Sequence, residues 1–259
     1  MPQLSPNAQV LVVGATGGIG GGFVRQWLAD DRIGCVFATY RDRDRAADLF
    51  ALQAVAGDRL VCLPCDPTIE ANIVATIERI SEQTDRLHAI VHCVGMLHEA
   101  TTHTPPVSPE KSLRHINRDQ LLRYFEVNSI PTVLLAKHLQ GLLKHRDPSV
   151  FATISAKVGS IGDNQLGGWY GYRASKAALN MLVRNIAIEL RRSRPETIVV
   201  ALHPGTTDTG LSQPFQGNVP AEKLFSIDRT VTQLLNVIEG LTIEDSGEFF
   251  SWDGSRLPW

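Results

Sequence analysis

The residues of this chain best placed to do chemistry are a tyrosine and a lysine four positions apart, Tyr172 and Lys176. Side chains with that spacing share one face of an α-helix, so the ammonium group can favour the phenolate form of the tyrosine. A free tyrosine has a pKa near ~10, and lowering it by one unit requires about 1.4 kcal/mol, so a base near neutral pH needs strong nearby positive charge. The same spacing is common on ordinary amphipathic helices. The elements around the pair must decide whether it transfers protons.

A glycine-rich turn follows the first apolar segment of the chain. Residues 9–13 predict a strand, residues 14–22 (GATGGIGGG) a turn, and a helical pattern begins at Phe23. Glycines in such a turn let the backbone approach a pyrophosphate, and the helix amino terminus offers it free N–H groups. A plain glycine-rich connection is the alternative, because a glycine motif alone is weak evidence. Its place directly after the first strand favours a dinucleotide site, with the candidate residues Gly14, Thr16, Gly18, Ile19 and Gly20.

Short apolar runs alternate with helical patterns along the remaining chain. Further strands are predicted at residues 34–39, 59–63, 88–94, 149–154, 197–202 and 247–252, and helices over residues 69–80, 121–143 and 228–240, after residue 46 and around the tyrosine–lysine pair. This βαβ array predicts an α/β fold with a parallel sheet of about seven strands and helices on both faces. No internal repeat or linker interrupts the sequence, so we expect residues 1–259 to form a single domain.

Two charged residues follow predicted strands, at the edge where an open parallel sheet binds ligands. Arg41 comes after the second strand, where a carboxylate favours NAD and an arginine can pair with the 2′-phosphate of NADP. Arg41 therefore favours NADP(H) over NAD(H), although it can also be a solvated residue at a helix start, and Asp42 can still bind a ribose. Asp66 follows the third strand and either binds the adenine amino group or caps the next helix.

Residues 96–119 break this alternation and are predicted to form a long loop. Its prolines and histidines are Pro105, Pro106, Pro109, His98, His103 and His115. The histidine spacings, with Glu99, match no pattern of metal ligands, so we expect solvated loop histidines and no metal. Cys62 and Cys65 have C-x-x-C spacing, but no second pair follows, which disfavours a redox or zinc site.

Composition excludes several classes of function. The formal net charge is −2 and the basic residues are dispersed, which does not suggest nucleic-acid binding. The four cysteines fall in or beside apolar runs and are expected to be reduced core thiols, as in a cytoplasmic protein. Residues 1–9 lack the pattern of a signal peptide, and no apolar run is long enough to span a membrane. We therefore expect a small-molecule partner and no nucleic acid or membrane.

Several motifs occur together in an order that resembles the classical short-chain dehydrogenases/reductases over nearly the whole chain. They are Gly14-x-x-x-Gly18-x-Gly20, Asp66, Asn128 in the long helix, Tyr172-x-x-x-Lys176, and Pro204-Gly205 after the sixth strand. The stretch from Ser155 to Asn180 is most similar to the C-factor-like branch, which includes Sniffer-type carbonyl reductases. The resemblance implies a Rossmann-type doubly wound sheet in a three-layer αβα sandwich, hydride transfer with NAD(P), and a homodimer or homotetramer.

The resemblance also implies roles for individual residues. Tyr172 would be the general acid/base, and Lys176 would bind the nicotinamide ribose and lower the tyrosine pKa. Asn128 would hold a water that links Lys176 to solvent, whereas the residues alone leave open a buried amide satisfied by backbone. The remaining cofactor contacts implied by the family fall on Gly95, Pro204, Gly205, Thr206, Thr207 and Thr209.

The sequence departs from the family pattern at three places. Val13 replaces a threonine whose hydroxyl ties the glycine turn to the fourth strand, and residues 92–95 (HCVG) replace Asn-Asn-Ala-Gly. The family serine that polarises the substrate carbonyl falls on Ala156, with Ser155 one residue earlier. A shift of one residue in a strand points a side chain to the other face. Either a kink brings Ser155 or Ser160 to the site, or the tyrosine acts alone, which predicts a weak or atypical reductase.

The sequence thus predicts an NADP(H)-preferring oxidoreductase that acts on a carbonyl or alcohol, with Tyr172 as proton donor or acceptor. The alternative, supported by Ala156, is a C-factor-like NAD(P)-binding signalling or regulatory protein with slight catalysis. A sugar-nucleotide epimerase or dehydratase is disfavoured by the glycine spacing and the short carboxyl-terminal region. The substrate stays open, because the loop at residues 96–119 and residues 210–226, predicted to be a mobile flap, would shape its pocket.

Overall fold

Parallel strands at the centre of the fold form one sheet. The computed structural model of the protein describes residues 6–99 and 106–259. The strands are β1 (Ala8–Val13), β2 (Ile33–Tyr40), β3 (Leu60–Pro64), β4 (Ala89–His92), β5 (Ser149–Ile154), β6 (Thr197–His203), β7 (Thr206–Thr207), β8 (Leu224–Phe225) and β9 (Phe249–Ser251). In these two ranges, seven strands pair in parallel in the order β3-β2-β1-β4-β5-β6-β9. The predicted doubly wound sheet is confirmed.

Helices cover both faces of this sheet. They are α1 (Gly18–Leu28), α2 (Ala47–Ala56), α3 (Glu70–Ser81), α4 (Arg118–Asn128), α5 (Ile130–Leu139), α6 (Tyr170–Ser193) and α7 (Ile227–Gly240). On one face α1 and α7 bury Trp27 and Leu234 against β1, and on the other α3 and α6 bury Ile77 and Val183. Strands buried on both sides have few polar positions, which explains their continuous apolar sequences. The Rossmann-type αβα sandwich is therefore confirmed.

The long helix predicted over residues 121–143 is interrupted. Helix α4 ends at Asn128, α5 begins at Ile130, and Ser129 between them has the non-helical angles φ −122° and ψ −56°. Pro131 lies in the first turn of α5, where its missing N–H cannot continue the hydrogen-bond ladder of α4. The prediction of one continuous helix was wrong here, and the break leaves Asn128 at a helix end.

Residues 210–226, predicted as a mobile flap, have more regular structure than expected. They contain the short 3₁₀ turns Gln213–Asn218 and Ala221–Lys223, and β8 pairs with β7. The pairing joins this segment to the chain that follows β6. It therefore lies beside the same sheet edge as Pro204 and Gly205.

The histidines and cysteines show no metal arrangement in the described part of the chain. His98 Nε2 lies 3.2 Å from the Gly210 carbonyl oxygen and His115 belongs to a 3₁₀ turn, while His103 and Pro105 lie outside the described residues. No group of three His, Cys, Asp or Glu within residues 6–99 and 106–259 is placed to hold a metal ion. All four cysteines are free thiols. Across the same ranges, no helix has the length and apolar character needed to cross a membrane.

Candidate active site

The carboxyl edge of the sheet collects the predicted site residues. Because the strands are parallel, their carboxyl ends share one edge, and the residues that follow β1, β2, β3, β4 and β6 are Gly14, Arg41, Asp66, Gly95 and the Pro204–Gly205 pair. Open parallel sheets bind ligands where the strand order reverses. Here the reversal lies between β1 and β4, next to the glycine turn.

The glycine turn has the shape of a dinucleotide cradle. Gly14 has a φ of +87°, and a Cβ on it would meet Val94. A Cβ on Gly18 would meet Thr209, and one on Gly20 would meet the Gly14 carbonyl. Helix α1, which is described over its full length, begins inside the turn without a side-chain cap or an acidic residue in its first turn. Its first N–H groups are therefore available to an anion such as a pyrophosphate.

Thr39 on β2 holds this turn in place. The Gly14 N–H donates to Thr39 Oγ1 at 3.0 Å, and the Ala15 N–H donates to the Thr39 carbonyl at 2.8 Å. The sequence showed that Val13 lacks the hydroxyl that ties the turn to the fourth strand in the family. A hydroxyl from β2 anchors the turn instead.

Helix α6 presents Tyr172 and Lys176 on one face. The Lys176 Nζ lies 6.0 Å from the centroid of the tyrosine ring and donates to the Ile154 carbonyl at 3.0 Å. Both side chains are buried, with relative exposures of 6% and 3%. Burial raises the pKa of Tyr172 and lowers the pKa of Lys176 to about 8. Burial is the cause of both shifts, and the lowering of the tyrosine pKa by Lys176 stays a prediction.

Asn128 ties the end of α4 to the loop after β4. Its Oδ1 accepts from the Met96 N–H at 2.6 Å, and its Nδ2 donates to the Met96 carbonyl at 2.9 Å and to Ser175 Oγ at 3.0 Å. Ser175 Oγ donates to the Tyr172 carbonyl at 2.8 Å, and Ser129 Oγ donates to the Ser175 carbonyl at 2.7 Å. The buried amide is therefore satisfied mainly by backbone, and the same network fixes the first turn of α6.

The two candidate serines are engaged with other partners. Ser155 is buried and its hydroxyl donates to Asn180 Oδ1 at 2.7 Å, while the Ser160 hydroxyl donates to the Trp259 carbonyl at 3.3 Å. Ala156 has the extended angles φ −149° and ψ 140°, and it packs against the apolar cluster of the tyrosine. An extended strand end keeps consecutive side chains on opposite faces. The methyl group of Ala156 thus lies on the tyrosine side, and the predicted kink is not seen.

Glu110, from the irregular loop after β4, caps the start of α6. Its Oε2 accepts from the Gly171 N–H at 3.1 Å, and its backbone carbonyl accepts from the Trp169 N–H at 2.6 Å. Trp169 precedes α6 in a left-handed conformation (φ 50°) and offers no side-chain cap of its own. A carboxylate at this position satisfies free helix N–H groups and interacts favourably with the helix dipole. The other carboxyl oxygen, Oε1, is buried without a hydrogen-bond partner in the described part of the protein.

Aromatic rings surround Tyr172. Its ring centroid lies 6.2 Å from that of Trp169 and 6.3 Å from that of Tyr124. Phe215, from the segment predicted to be a flap, packs on Trp169 at 5.3 Å, and His98 lies 5.9 Å from Phe215. The loop after β4 and the segment after β7 thus meet over the tyrosine.

Other predicted cofactor residues occupy the same edge with different partners. Asp66 Oδ1 accepts from the Thr68 N–H at 3.0 Å and its hydroxyl at 2.7 Å, so it caps the turn before α3, not the helix itself. Thr207 Oγ1 lies 2.9 Å from Thr230 Oγ1 on α7. Arg41 is exposed at the end of β2.

A comparison with protein families identifies the type of fold and site. Residues 8–219 match the family model described as short chain dehydrogenase. This chain belongs to the short-chain dehydrogenase family. It is 30% identical over 250 residues to the 1-hydroxy-2-glutathionyl-2-methyl-3-butene dehydrogenase of Rhodococcus sp. (strain AD45), covering 96% of this chain and 99% of that relative. It is 37% identical over 150 residues to the C-signal protein of Myxococcus xanthus, covering 57% of this chain and 84% of that relative.

Solved structures agree with this membership. The NADPH-bound carbonyl reductase from chicken fatty liver superposes with a TM-score of 0.85 at 30% identity, covering 98% of this chain and 100% of that one. This short-chain dehydrogenase is therefore an NAD(P)-dependent oxidoreductase that acts on a small molecule, and the predicted resemblance is confirmed.

Sequence reasoning missed two residues of the site in this short-chain dehydrogenase. Glu110 lies in a proline-containing loop without periodicity, so nothing in the sequence places it at the start of α6. The sequence contains one indication of the role of Thr39. Val13 lacks the hydroxyl that anchors the glycine turn in the family, so another residue must anchor it.

Proposed function

We propose that this protein is an NADP(H)-preferring oxidoreductase that reduces a small carbonyl compound, or oxidises the corresponding alcohol, with Tyr172 as general acid/base. The position of Tyr172 and Lys176 carries the proposal, since they lie buried side by side at the sheet edge that holds the glycine cradle. A bound nicotinamide would supply the hydride for reduction or accept it in oxidation. The family and its NADPH-bound carbonyl reductase support this chemistry.

Tyr172 would move the proton. In reduction its phenol O–H protonates the carbonyl oxygen as the carbonyl carbon is reduced, and in oxidation the phenolate accepts the alcohol proton. Burial raises the pKa of Tyr172, so the chain itself keeps the phenol protonated near neutral pH. A protonated phenol is the form needed to donate a proton in reduction.

Lys176 and Asn128 would restore that proton and orient the site. The ammonium group has three donors, of which one bonds to the Ile154 carbonyl, so the others can bind the nicotinamide ribose and a water. A Cβ on Gly95 would lie 3.3 Å from Lys176 Nζ and 3.6 Å from Asn128 Oδ1. That closeness supports a relay from Lys176 past Asn128 to solvent.

The cofactor would lie along the sheet edge. Its pyrophosphate would bind to the glycine turn, and its adenine would bind to Asp66. Its 2′-phosphate would pair with Arg41, and its nicotinamide end would contact the residues after β4 and β6. The residues proposed for these contacts are Gly14, Thr16, Gly18, Ile19, Gly20, Gly95, Pro204, Gly205 and Thr207. Asp42 Oδ1 already accepts from the Asp44 N–H at 3.0 Å, which favours Arg41 over Asp42 as the ligand of the adenosine ribose phosphate.

Equilibrium titration with NADPH and NADH tests the cofactor assignment. We expect tighter binding of NADPH, and we expect Arg41→Ser to weaken NADPH by roughly tenfold or more, as loss of a charge-assisted hydrogen bond does. Arg43→Ser is the matched control, because the Arg43 guanidinium lies over the Phe50 ring at 5.2 Å. Tighter NADH binding, or an Arg41→Ser variant that keeps the NADPH preference, contradicts the assignment. A screen of carbonyl compounds with the preferred cofactor then tests the reaction.

A second candidate function is an NAD(P)-binding regulatory protein with slight catalysis. Ala156 in place of a polarising serine favours it, as does the similarity to the C-signal protein. Turnover separates the two functions: a regulatory protein binds the cofactor with ordinary affinity and reduces every carbonyl compound in the screen slowly.

We also propose that the protein assembles as a homodimer or homotetramer. Four large apolar side chains on α4, α5 and α6 support this, because each is about half exposed; they are Leu122, Ile130, Met181 and Ile188. Light scattering coupled to gel filtration measures the molar mass directly. A mass of one chain, 28.4 kDa, contradicts assembly.

A further inference from the structure

The partly exposed side chains that pack around the Tyr172 ring include an apolar set. Six half-buried side chains pack against the buried cluster that contains this tyrosine, and they are Val94, Ala156, Val158, Trp169, Leu211 and Phe215. Because these six side chains are only half-buried, they form the accessible side of the cluster around the Tyr172 ring. An apolar substrate body fits such a wall, because burial of apolar surface is favourable and no charged group there must lose water.

The hydroxyl groups of Ser155 and Ser160, on either side of Ala156 in the chain, and of the cluster member Tyr124 already donate their protons elsewhere. The acceptors are Asn180 Oδ1 for Ser155 (2.7 Å), the Trp259 carbonyl for Ser160 (3.3 Å) and the Leu97 carbonyl for Tyr124 (2.7 Å). The Lys157 ammonium, next in the chain after Ala156, lies 3.3 Å from the Asp163 carboxylate. Ala156, which packs against the cluster that contains Tyr172, offers only a methyl group.

A carbonyl oxygen gains negative charge while its carbon is reduced. Hydrogen-bond donors that point at this oxygen stabilise the transition state more than the bound substrate, and removing one such donor slows catalysis by roughly 10²–10³-fold. With one donor, the rate depends more strongly on how well the substrate itself tolerates that charge. An electron-withdrawing neighbour makes the carbon more electrophilic and withdraws charge from the oxygen, so it replaces part of the missing hydrogen bond.

We propose that this site polarises the substrate carbonyl through Tyr172 alone, and that Ala156 thereby selects apolar carbonyl compounds with an electron-withdrawing group beside the carbonyl, such as a second carbonyl. The proposal rests on the NADPH-dependent reduction proposed above. In reduction the C=O π bond breaks, its electron pair takes the proton of Tyr172, and the carbon gains a hydride that a bound reduced nicotinamide would supply, losing two electrons. The carbonyl becomes an alcohol, and the tyrosine regains a proton from solvent.

Two ketones of the same skeleton test this selectivity. We compare 1-phenylpropane-1,2-dione with 1-phenylpropan-1-one, which lacks the second carbonyl, and measure kcat and KM with saturating NADPH. The wild type should favour the diketone by at least about a hundredfold in kcat/KM, in line with the loss of one donor. Values within tenfold of each other for the wild type overturn the proposal, whatever the variants do.

Ala156→Ser returns a donor to the tyrosine side. It should raise kcat for the simple ketone by about tenfold or more and raise kcat for the diketone less. The preference for the diketone should therefore decrease. Ala156→Cys places a sulfur atom where the serine hydroxyl would lie, but the thiol is a weak hydrogen-bond donor. This variant should therefore keep the wild-type preference for the diketone. If Ala156→Ser does not fold, judged by its thermal midpoint, Ala156→Thr supplies the same hydroxyl. A folded hydroxyl variant that leaves the preference unchanged overturns the proposal.

Ser155→Ala and a binding measurement test whether a second donor or ground-state binding sets the preference. Ser155→Ala should keep the preference for the diketone. A fall in kcat/KM for the simple ketone alone would show that Ser155 is a second donor, and this would overturn the proposal. Tryptophan fluorescence titration without NADPH should give the simple ketone the same Kd in wild type and Ala156→Ser, within about threefold, because the donor acts on the transition state. A change in Kd as large as the change in kcat/KM contradicts this.

The outcomes also separate this inference from the proposed function. If NADPH binds but neither ketone is reduced by the wild type or by Ala156→Ser, the selectivity proposal fails and the cofactor site stands. If NADPH does not bind, the proposed function itself fails.

Discussion

The side-chain amide of Asn128 pairs with both backbone polar groups of Met96, accepting from its N–H at 2.6 Å and donating to its carbonyl at 2.9 Å. Met96 directly follows Gly95, where an added Cβ would lie 3.3 Å from Lys176 Nζ. The break between α4 and α5 places Asn128 where it can make this pair. One amide group therefore ties the loop after β4 to the end of α4.

Asn128→Ala removes three buried hydrogen bonds and leaves the Met96 backbone unpaired. We expect a loss of about 2–4 kcal/mol in the free energy of unfolding, since each unsatisfied buried group costs about 1–3 kcal/mol. Urea denaturation measures it. The matched control is Asn117→Ala on the same helix, which removes an exposed N-cap to Asp119 and Gln120 and should cost about 1 kcal/mol. Equal losses for the two asparagines contradict the special role of Asn128.

Tyr172→Phe removes the proposed general acid while keeping the ring contacts. We expect kcat to fall by about 10²–10⁴-fold, the usual contribution of such a group, with NADPH binding retained. Steady-state kinetics and cofactor titration check this. Tyr124→Phe is the control, because Tyr124 is a buried neighbour whose hydroxyl bonds to the Leu97 carbonyl, and it should lose about 1 kcal/mol of stability with kcat little changed. Full turnover in Tyr172→Phe excludes the mechanism.

Lys176 makes stability depend on pH. Burial lowers its pKa to about 8 in the folded chain, whereas the unfolded chain keeps a lysine pKa near ~10.4. Between these values the unfolded state binds the proton and the folded state does not, so this lysine makes the free energy of unfolding rise with pH, by up to roughly 3 kcal/mol. Urea denaturation of the cofactor-free protein between pH 7 and 10, compared with Lys176→Met, isolates the effect from other groups. A constant difference between the two proteins contradicts the shifted pKa.

Glu110 caps the helix that carries Tyr172, the proposed general acid/base. Glu110→Ala removes the acceptor of the Gly171 N–H and should cost about 1–2 kcal/mol, as loss of a helix cap does, with a several-fold fall in kcat. Glu110→Gln keeps an acceptor oxygen and should retain most of the stability and most of kcat. Thermal or urea unfolding and kinetics measure them. If Glu110→Gln is as damaging as Glu110→Ala, then the negative charge or the unpartnered Oε1 matters more than the cap.

Gly20 allows α1 to pass close to the glycine turn. Gly20→Ala should abolish cofactor binding or destabilise the fold by several kcal/mol, because its Cβ would collide with the Gly14 carbonyl. Gly141→Ala is the control, since no atom lies within 4 Å of its added Cβ and its φ is not in the left-handed region. Circular dichroism and NADPH titration distinguish loss of folding from loss of binding. Tight NADPH binding by Gly20→Ala contradicts the cradle.

Local patterns predicted the elements because burial repeats with the period of each structure. The strand at residues 149–154 was placed correctly to the residue, and the others lie within a few residues of their predicted ends. The exception is the helix predicted at residues 121–143. Its apolar spacing continues past Pro131, but this proline interrupts the backbone hydrogen bonds of the helix. The spacing of apolar residues indicates which face of a helix is buried. It does not indicate whether each backbone N–H has a hydrogen-bond acceptor.

The sequence by itself determined the order of strands and helices, the glycine turn after β1, the shared face of Tyr172 and Lys176, and the displacement of Ser155 from the expected position. These features depend on neighbours a few residues apart. Only the tertiary structure decided that Thr39 anchors the turn, that Glu110 caps α6, and that Ser155 bonds to Asn180. Each of those contacts joins residues at least 25 positions apart, and such partners are chosen by how the helices and strands pack.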